Sequence, residues 1–241
     1  LTYYASPRAT VLDPFVGSGT ALFEAARKSL VCFGVEINPA AVEMANAVRF
    51  VNTGAPKRLE YIRRAKAIME KYQRVRYERN LFSFQERTGK PRPQSSREAF
   101  RDILVEASAE PEVHNIIVNT FLRYATLRDK KKPNALLRAF RKHKDIIEKL
   151  PYSERPCKVF QCDARSLPLE NGSVDLVITS PPYINVFNYH QNYREIMEMV
   201  GWDLLNVAKS EIGSNRKNRG NRFLTVTQYP IDMLQALCEM R

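Results

Sequence analysis

The sequence predicts an α/β protein whose parallel sheet is interrupted by a large, mostly helical insertion. Three observations carry that reading. The first fifty residues alternate strand and helix patterns. Charged helical periods then replace them from about residue 57 to 150, and strand patterns return at 157–164 and 173–180. Strand–helix–strand alternation signals parallel pairing, because parallel neighbours need a crossover between them.

Each element follows from its residues. ATVLDPF (9–15) reads as a strand, VGSGT turns out of it, and ALFEAARKSL is an amphipathic helix. LVCFGVEI (30–37) is a second strand. Asn38 and Pro39 open the next helix, AAVEMANAVRFVN, with proline in the first turn where its missing N–H costs nothing. RLEYIRRAKAIMEKYQRVRYERN and NALLRAFRKHKDIIEKL are charged helices, and ERTGKPRPQSSRE (86–98) reads as an exposed loop. EVHNIIVNTFLRYATL (112–127) has the apolar spacing of one well-buried helix. CKVFQCDA (157–164) and SVDLVITS (173–180) are the third and fourth strands, and FLTVT (223–227) suggests a fifth. A helix is expected around NYREIMEMVGWDLLNVA, and a last one at PIDMLQALCEMR. The core thus comprises 1–55 and 156–241, and the insertion 56–155.

Charge separates the two parts. Of 38 Lys and Arg, 25 fall between Ala55 and Arg155, against 13 of the 26 Asp and Glu, so this block holds the whole +12 excess and the remainder is neutral. A basic block of this kind suits a polyanion, most simply nucleic acid; its plainer alternative is a solvated helical face. Cys32, Cys157, Cys162 and Cys238 form no CxxC pair and no zinc spacing, which points to a reduced, cytoplasmic setting, and Cys157 and Cys162 read as strand packing residues. LTYYASPR lacks the charged-then-apolar layout of a signal peptide, and no metal site is expected.

The chemistry is concentrated at strand ends. DPFVGSGT (13–20) is a strand-to-helix turn whose glycines at 17 and 19 let backbone N–H groups approach a ligand. It lacks the lysine of a nucleoside-triphosphate loop, and alone it is indistinguishable from an ordinary tight turn. Glu36 closes the next strand about twenty residues on, where an acid accepts hydrogen bonds from ribose hydroxyls. Asp163 closes the third strand, placed to accept from an adenine amine or simply to form a turn. SPPY (180–183) ends the fourth: prolines leave carbonyl oxygens without a neighbouring donor, Ser180 adds a hydroxyl, and Tyr183 offers a stacking face. Ligands of open parallel sheets bind at this carboxyl edge.

These residues resemble the amino-group DNA methyltransferases, the S-adenosylmethionine-dependent family that modifies N4 of cytosine or N6 of adenine. DPFVGSGT is similar to the family's cofactor loop, GVEINP to its second motif and TSPPY to its catalytic tetrapeptide with the preceding residue, over about 1–53 and 157–190. The resemblance implies a Rossmann-like class I methyltransferase core. It implies that Asp13, Pro14, Phe15, Gly17, Ser18, Gly19 and Thr20 hold the methionine part of S-adenosyl-L-methionine. Glu36 would take the ribose and Asp163 the adenine amine, with Ile37 and Ala164 also in the cofactor site. Ser180, Pro181, Pro182 and Tyr183 would receive a base flipped out of double-stranded DNA. The serine form of the tetrapeptide favours cytosine N4. The insertion would then read DNA, and the loop carrying Arg216, Lys217, Arg219 and Arg222 would close over the displaced strand. The family's sheet has seven strands, whereas four are clear here, so a second chain or a missing segment is expected to complete it. Two other readings remain: an RNA or protein amino-methyltransferase, and a non-catalytic nucleic-acid-binding fragment or subunit.

Overall fold

The computed structural model describes residues 1, 3–82, 96–129, 134–184, 189–214 and 221–241. Among them, β1 (Thr10–Asp13), β2 (Val31–Glu36), β3 (Cys157–Gln161) and β4 (Leu176–Val177) form one all-parallel sheet in the order β3-β2-β1-β4. The chain is therefore an α/β protein, compatible with a Rossmann-like core. Registers pair Asp13 with Gly34 and Glu36 with Gln161, so the strand ends lie along one edge. The chain winds outward from β1 through β2 to β3, then returns to the other side of β1 for β4. The gap between the ends of β1 and β4 is thus the point where the winding reverses, the position at which open α/β sheets hold ligands.

β4 is shorter than the 173–180 run predicts. Leu176 and Val177 ladder with Val11 and Leu12. Just before them the Asp175 carboxylate takes the Thr10 N–H at 2.8 Å; just after them Ile178 still donates to the Leu12 carbonyl at 3.0 Å, and Pro181 and Pro182, which have no N–H to give, follow Thr179 and Ser180.

The helix α1 (Thr20–Arg27) follows β1, and α2 (Pro39–Asn46) follows β2. Asn38 caps α2 as its spacing predicts, its Oδ1 accepting from the Ala40 N–H at 3.0 Å with Pro39 in the first turn. Val11, Cys32 and Cys157 sit side by side on one sheet face and pack beneath Leu22 and Ala25 of α1 and beneath Val48 and Val51 from the 3₁₀ turn at 47–52. The Cys32 and Cys157 Sγ atoms touch at 2.9 Å within this layer, which accounts for both as packing residues.

The insertion forms α3 (Ala55–Phe82), α4 (Ser96–Ala107), α5 (Pro111–Thr126) and α6 (Ala135–Glu148). Most of the 86–98 stretch lies outside the described residues, and α4 already begins at Ser96. The helix α5 is the buried one, and its Phe121 meets Phe100 of α4 edge-on with ring centroids 4.4 Å apart. These helices share one apolar core with Ala40, Ala47 and Phe50 from the sheet side and with Ile196 and Met197 of α7 (Tyr189–Val200). Where the insertion leaves and rejoins the sheet, buried Arg58 ties the two crossings together. Its guanidinium donates to the carbonyls of Thr53 (2.6 Å), Ile147 (3.3 Å), Pro151 (2.7 Å) and Leu150, capping the end of α6. Asn52 Nδ2 adds bonds to the Ser153 and Arg155 carbonyls at 2.8 and 2.7 Å.

Three expectations for the last fifty residues are corrected. The helix foreseen across 192–208 is two, α7 and α8 (Leu204–Ser210), separated at Gly201, whose φ of +86° ends the first in a left-handed turn. FLTVT is not a strand but the opening of α9 (Arg222–Glu239). Asn221 Oδ1 caps that helix through the Leu224 N–H at 3.1 Å. The Thr225 and Thr227 hydroxyls bond back to carbonyls one turn earlier, which satisfies both hydroxyls within the helix. Pro230 lies inside α9 rather than beginning a new helix. Among the described residues, no helix is long and apolar enough to cross a membrane.

Candidate functional site

Four strand ends converge on one cavity of about 880 Å³. Its wall is built from the turn after β1 (Asp13, Pro14, Phe15, Gly17, Thr20), the end of β2 (Glu36, Ile37), the end of β3 (Asp163, Ala164) and the segment after β4 (Ser180, Pro181, Pro182, Tyr183), with Arg222 at the start of α9. The volume is within the range of small-molecule and cofactor pockets. Ser18 and Gly19 do not line it. Gly19 instead carries the turn into α1 at φ +94°, packed so closely on Ala45 that a Cβ there would lie 2.9 Å from the Ala45 Cα. Arg216, Lys217 and Arg219 lie outside the described residues.

The two loops that flank the winding reversal are bonded to each other. Thr179, immediately before Ser180, donates its hydroxyl to Asp13 Oδ1 at 2.6 Å. The same oxygen accepts from the Phe15 N–H at 3.1 Å, closing the first turn of the glycine loop. Asp13 is only 5% exposed. Burial raises its carboxyl above the ordinary range, and the Thr179 and Phe15 bonds oppose that rise.

Glu36 locks the second loop to the first. Its Oε2 accepts from the Gly17 N–H at 3.1 Å, and its Oε1 from the Ile37 and Asn38 N–H groups at 3.0 and 2.9 Å. Burial pushes the Glu36 carboxyl up, the N–H donors pull it down, and the nearby Glu211 carboxylate adds to the rise. The third strand is aligned by the Cys162 N–H donating to the Glu36 carbonyl at 3.1 Å, which brings Asp163 alongside.

Asp163 is held more firmly than the sequence reading expects. Arg165 forks onto it, Nε to Oδ1 at 2.9 Å and Nη2 to Oδ2 at 2.6 Å. The other arm of Arg165 reaches Asp232 of α9 at 2.8 Å, and Nη2 also donates to the Ser210 carbonyl at 3.2 Å. The Asp163 bond is the main cause of a raised Arg165 pKa. This fork fixes the Asp163 carboxylate in place and anchors α9 and the end of α8 to the sheet edge.

The proline pair divides its carbonyls. The Pro182 oxygen accepts from the Tyr229 hydroxyl of α9 at 2.8 Å, so one of the two oxygens expected to lack a donor has one. Among the described residues no hydrogen bond ends on the Pro181 carbonyl or the Ser180 hydroxyl, and both residues are exposed at the cavity wall. Tyr183 is 61% exposed beside them.

Sequence reading missed the far wall: Ser210, Glu211, Ile212, Gly213 and Ser214 line the cavity, as do Thr179, Asn38, Cys162 and Lys28. Gly213 has φ +79° and its Cβ position lies 3.3 Å from the Tyr183 carbonyl, so only glycine lets this wall approach the SPPY segment. Five acids (Asp13, Glu24, Glu36, Asp163, Glu211) line the cavity against two bases (Lys28, Arg222); Arg165 balances Asp163 and Arg27 balances the exposed Glu24, which leaves Asp13, Glu36 and Glu211 as the acids of its interior. Such a lining favours a ligand with cationic and hydroxyl groups. Among the described residues no cluster of three His, Cys, Asp or Glu is arranged to hold a metal ion. Comparison with protein-family models, curated proteins and solved structures returns no match for the chain.

Proposed function

We propose that this chain transfers a methyl group from S-adenosylmethionine to the exocyclic amine of a base turned out of double-stranded DNA, cytosine N4 ahead of adenine N6, on a Rossmann-like class I methyltransferase core. The observation that carries the reading is the Thr179–Asp13 hydrogen bond, which joins the glycine turn to the SPPY segment at the winding reversal, with both lining one cavity.

The lining suits that cofactor. The backbone N–H groups opening α1 favour a carboxylate, Asp13 an ammonium, Glu36 ribose hydroxyls and Asp163 an adenine amine. The Gly17 N–H is held by Glu36, and a Cβ on Gly17 would meet nothing nearer than 4.0 Å, so the turn leaves space beside it for a bound group. S-adenosylmethionine supplies an electrophilic methyl on a sulfonium. The chain's own residues then act by positioning. An exocyclic amine is a poor nucleophile because its lone pair delocalises into the ring. The Ser180 hydroxyl and the Pro181 carbonyl, accepting from the amine hydrogens, favour a pyramidal nitrogen and localise that pair. Tyr183 covers the base face. No protein nucleophile enters this route, consistent with Cys157 being buried against Cys32. The basic helices of 56–155 suit contact with phosphates, and free cysteines suit a reduced, cytoplasmic setting.

Labelled S-adenosylmethionine with duplex DNA of mixed sequence tests the proposal, with label expected on N4 of cytosine. Label on RNA or protein alone would move the activity to those acceptors. Salt-dependent DNA binding with no S-adenosylmethionine binding would make the chain a non-catalytic module.

A further inference from the structure

We propose that Glu211 is a second hydroxyl acceptor for the nucleoside part of the bound cofactor, working as a pair with Glu36 and selecting a ribose with both hydroxyls free. The inference rests on reading the cavity as an S-adenosylmethionine site.

Glu36 alone is short of acceptors. An ionised carboxylate offers about four lone-pair positions, and the N–H groups of Gly17, Ile37 and Asn38 already occupy three on Glu36. A vicinal diol presents two O–H donors, so one of them needs another partner. Glu211 stands where that partner is needed. It lines the same cavity, and its Oε1 accepts from Asn38 Nδ2 at 3.3 Å, a long bond to the residue whose own N–H holds Glu36. The two carboxylates are near enough to repel, which is one reason Glu36 holds its proton more tightly than usual. Two neutral O–H groups inserted between them would add one more donor to each carboxylate and relieve that repulsion, whereas a phosphate on either hydroxyl would add to it.

The wall that carries Glu211 is fixed. Its Ser210 carbonyl accepts from Arg165 at 3.2 Å, and Gly213 packs against the Tyr183 carbonyl. Sequence spacing conceals the pairing, because 175 positions separate Glu36 from Glu211.

Calorimetry with S-adenosylmethionine and its 2′-deoxy and 3′-deoxy analogues tests the proposal on the wild type and on Glu211→Ala. A hydrogen bond to a charged group corresponds to roughly a ten- to hundredfold change in affinity. That loss is expected for Glu211→Ala with the full cofactor and with one deoxy analogue. The other analogue, lacking the hydroxyl that Glu211 accepts, should bind wild type and variant alike. Glu211→Gln keeps an acceptor oxygen and should fall between; it carries the same comparison if the alanine variant does not fold. Equal losses across all three ligands, or no loss, would overturn the role of Glu211 while leaving the cofactor reading intact. A wild-type chain that binds none of the three would overturn both.

Discussion

Replacing Thr179 with valine removes one hydroxyl and nothing else of consequence in volume, so it isolates the tie between the two loops. The bond lost is short, 2.6 Å, and its acceptor is a carboxylate only 5% exposed. Hydrogen bonds to charged groups contribute about 1.5–3 kcal/mol, and a buried acceptor left short of a donor puts the cost toward the upper part of that range. For a chain of this size about 2 kcal/mol lowers the melting temperature by about 4–8 °C. The pH dependence has a definite sign. Burial raises the Asp13 carboxyl above its ordinary 3.8, and losing the Thr179 donor raises it further. An acid whose folded pKa is raised destabilises the fold as pH climbs through that value. The valine penalty should therefore be largest at neutral pH and shrink in acid, where Asp13 is protonated. Paired melts of wild type, Thr179→Val and Thr179→Ser at pH 7 and below 4 measure this, with S-adenosylmethionine titrations alongside. Serine should recover most of the loss. A valine variant that melts with the wild type and binds the cofactor equally well would refute the claim that this bond joins the two halves of the site.

Three further outcomes follow from other parts of the molecule. His143 is buried in the helical core with neither ring nitrogen bonded among the described residues, and burial, aided by Arg123, pushes its pKa down from 6.5 to about 3. Stability should hold above pH 6.5 and fall by about 1.4 kcal/mol per unit below it, about 2 kcal/mol by pH 5; urea titrations of His143→Phe should show this slope removed. Gly19→Ala forces an L residue to φ +94° with its Cβ 2.9 Å from the Ala45 Cα. A loss of about 2 kcal/mol or more is expected by denaturant unfolding, together with weaker cofactor binding. Ser180→Ala should slow methyl transfer about tenfold or more while sparing cofactor affinity, and Glu36→Ala should do the reverse; indistinguishable effects on both quantities would undo the assignment.

What was legible in the sequence is what depends on local chemistry. Asn38-Pro39 announces a helix start because the cap and the proline act within one turn, and α2 begins there. Gly17 and Gly19 both adopt positive φ, and the alternation around them yields β1, α1 and β2, with α1 ending three residues before the expected Leu30. FLTVT misled because its β-branched residues favour strands in isolation, while the Asn221 cap and the burial of Thr225 beside Asp232 and Ala236 settle it as helix. Arg165 was two residues from Asp163 and still went unread, since its meaning comes from Asp232, 67 positions away. The 210–214 wall was invisible for the same reason: its neighbours Asn38 and Tyr183 are supplied by folding, not by spacing.

The joint core has a consequence for how the molecule comes apart. Phe50 and Ala40 beside the sheet, Phe100, Ile116 and Phe140 from the insertion, and Met197 from α7 occupy one apolar cluster, and Arg58 staples its two crossings. The helical block cannot lose its packing without uncovering Ala40, Ala47 and Phe50 on the sheet side. Heating should produce one calorimetric peak rather than two, and a nucleotide analogue seated against the sheet would slow amide exchange in helices that never touch it.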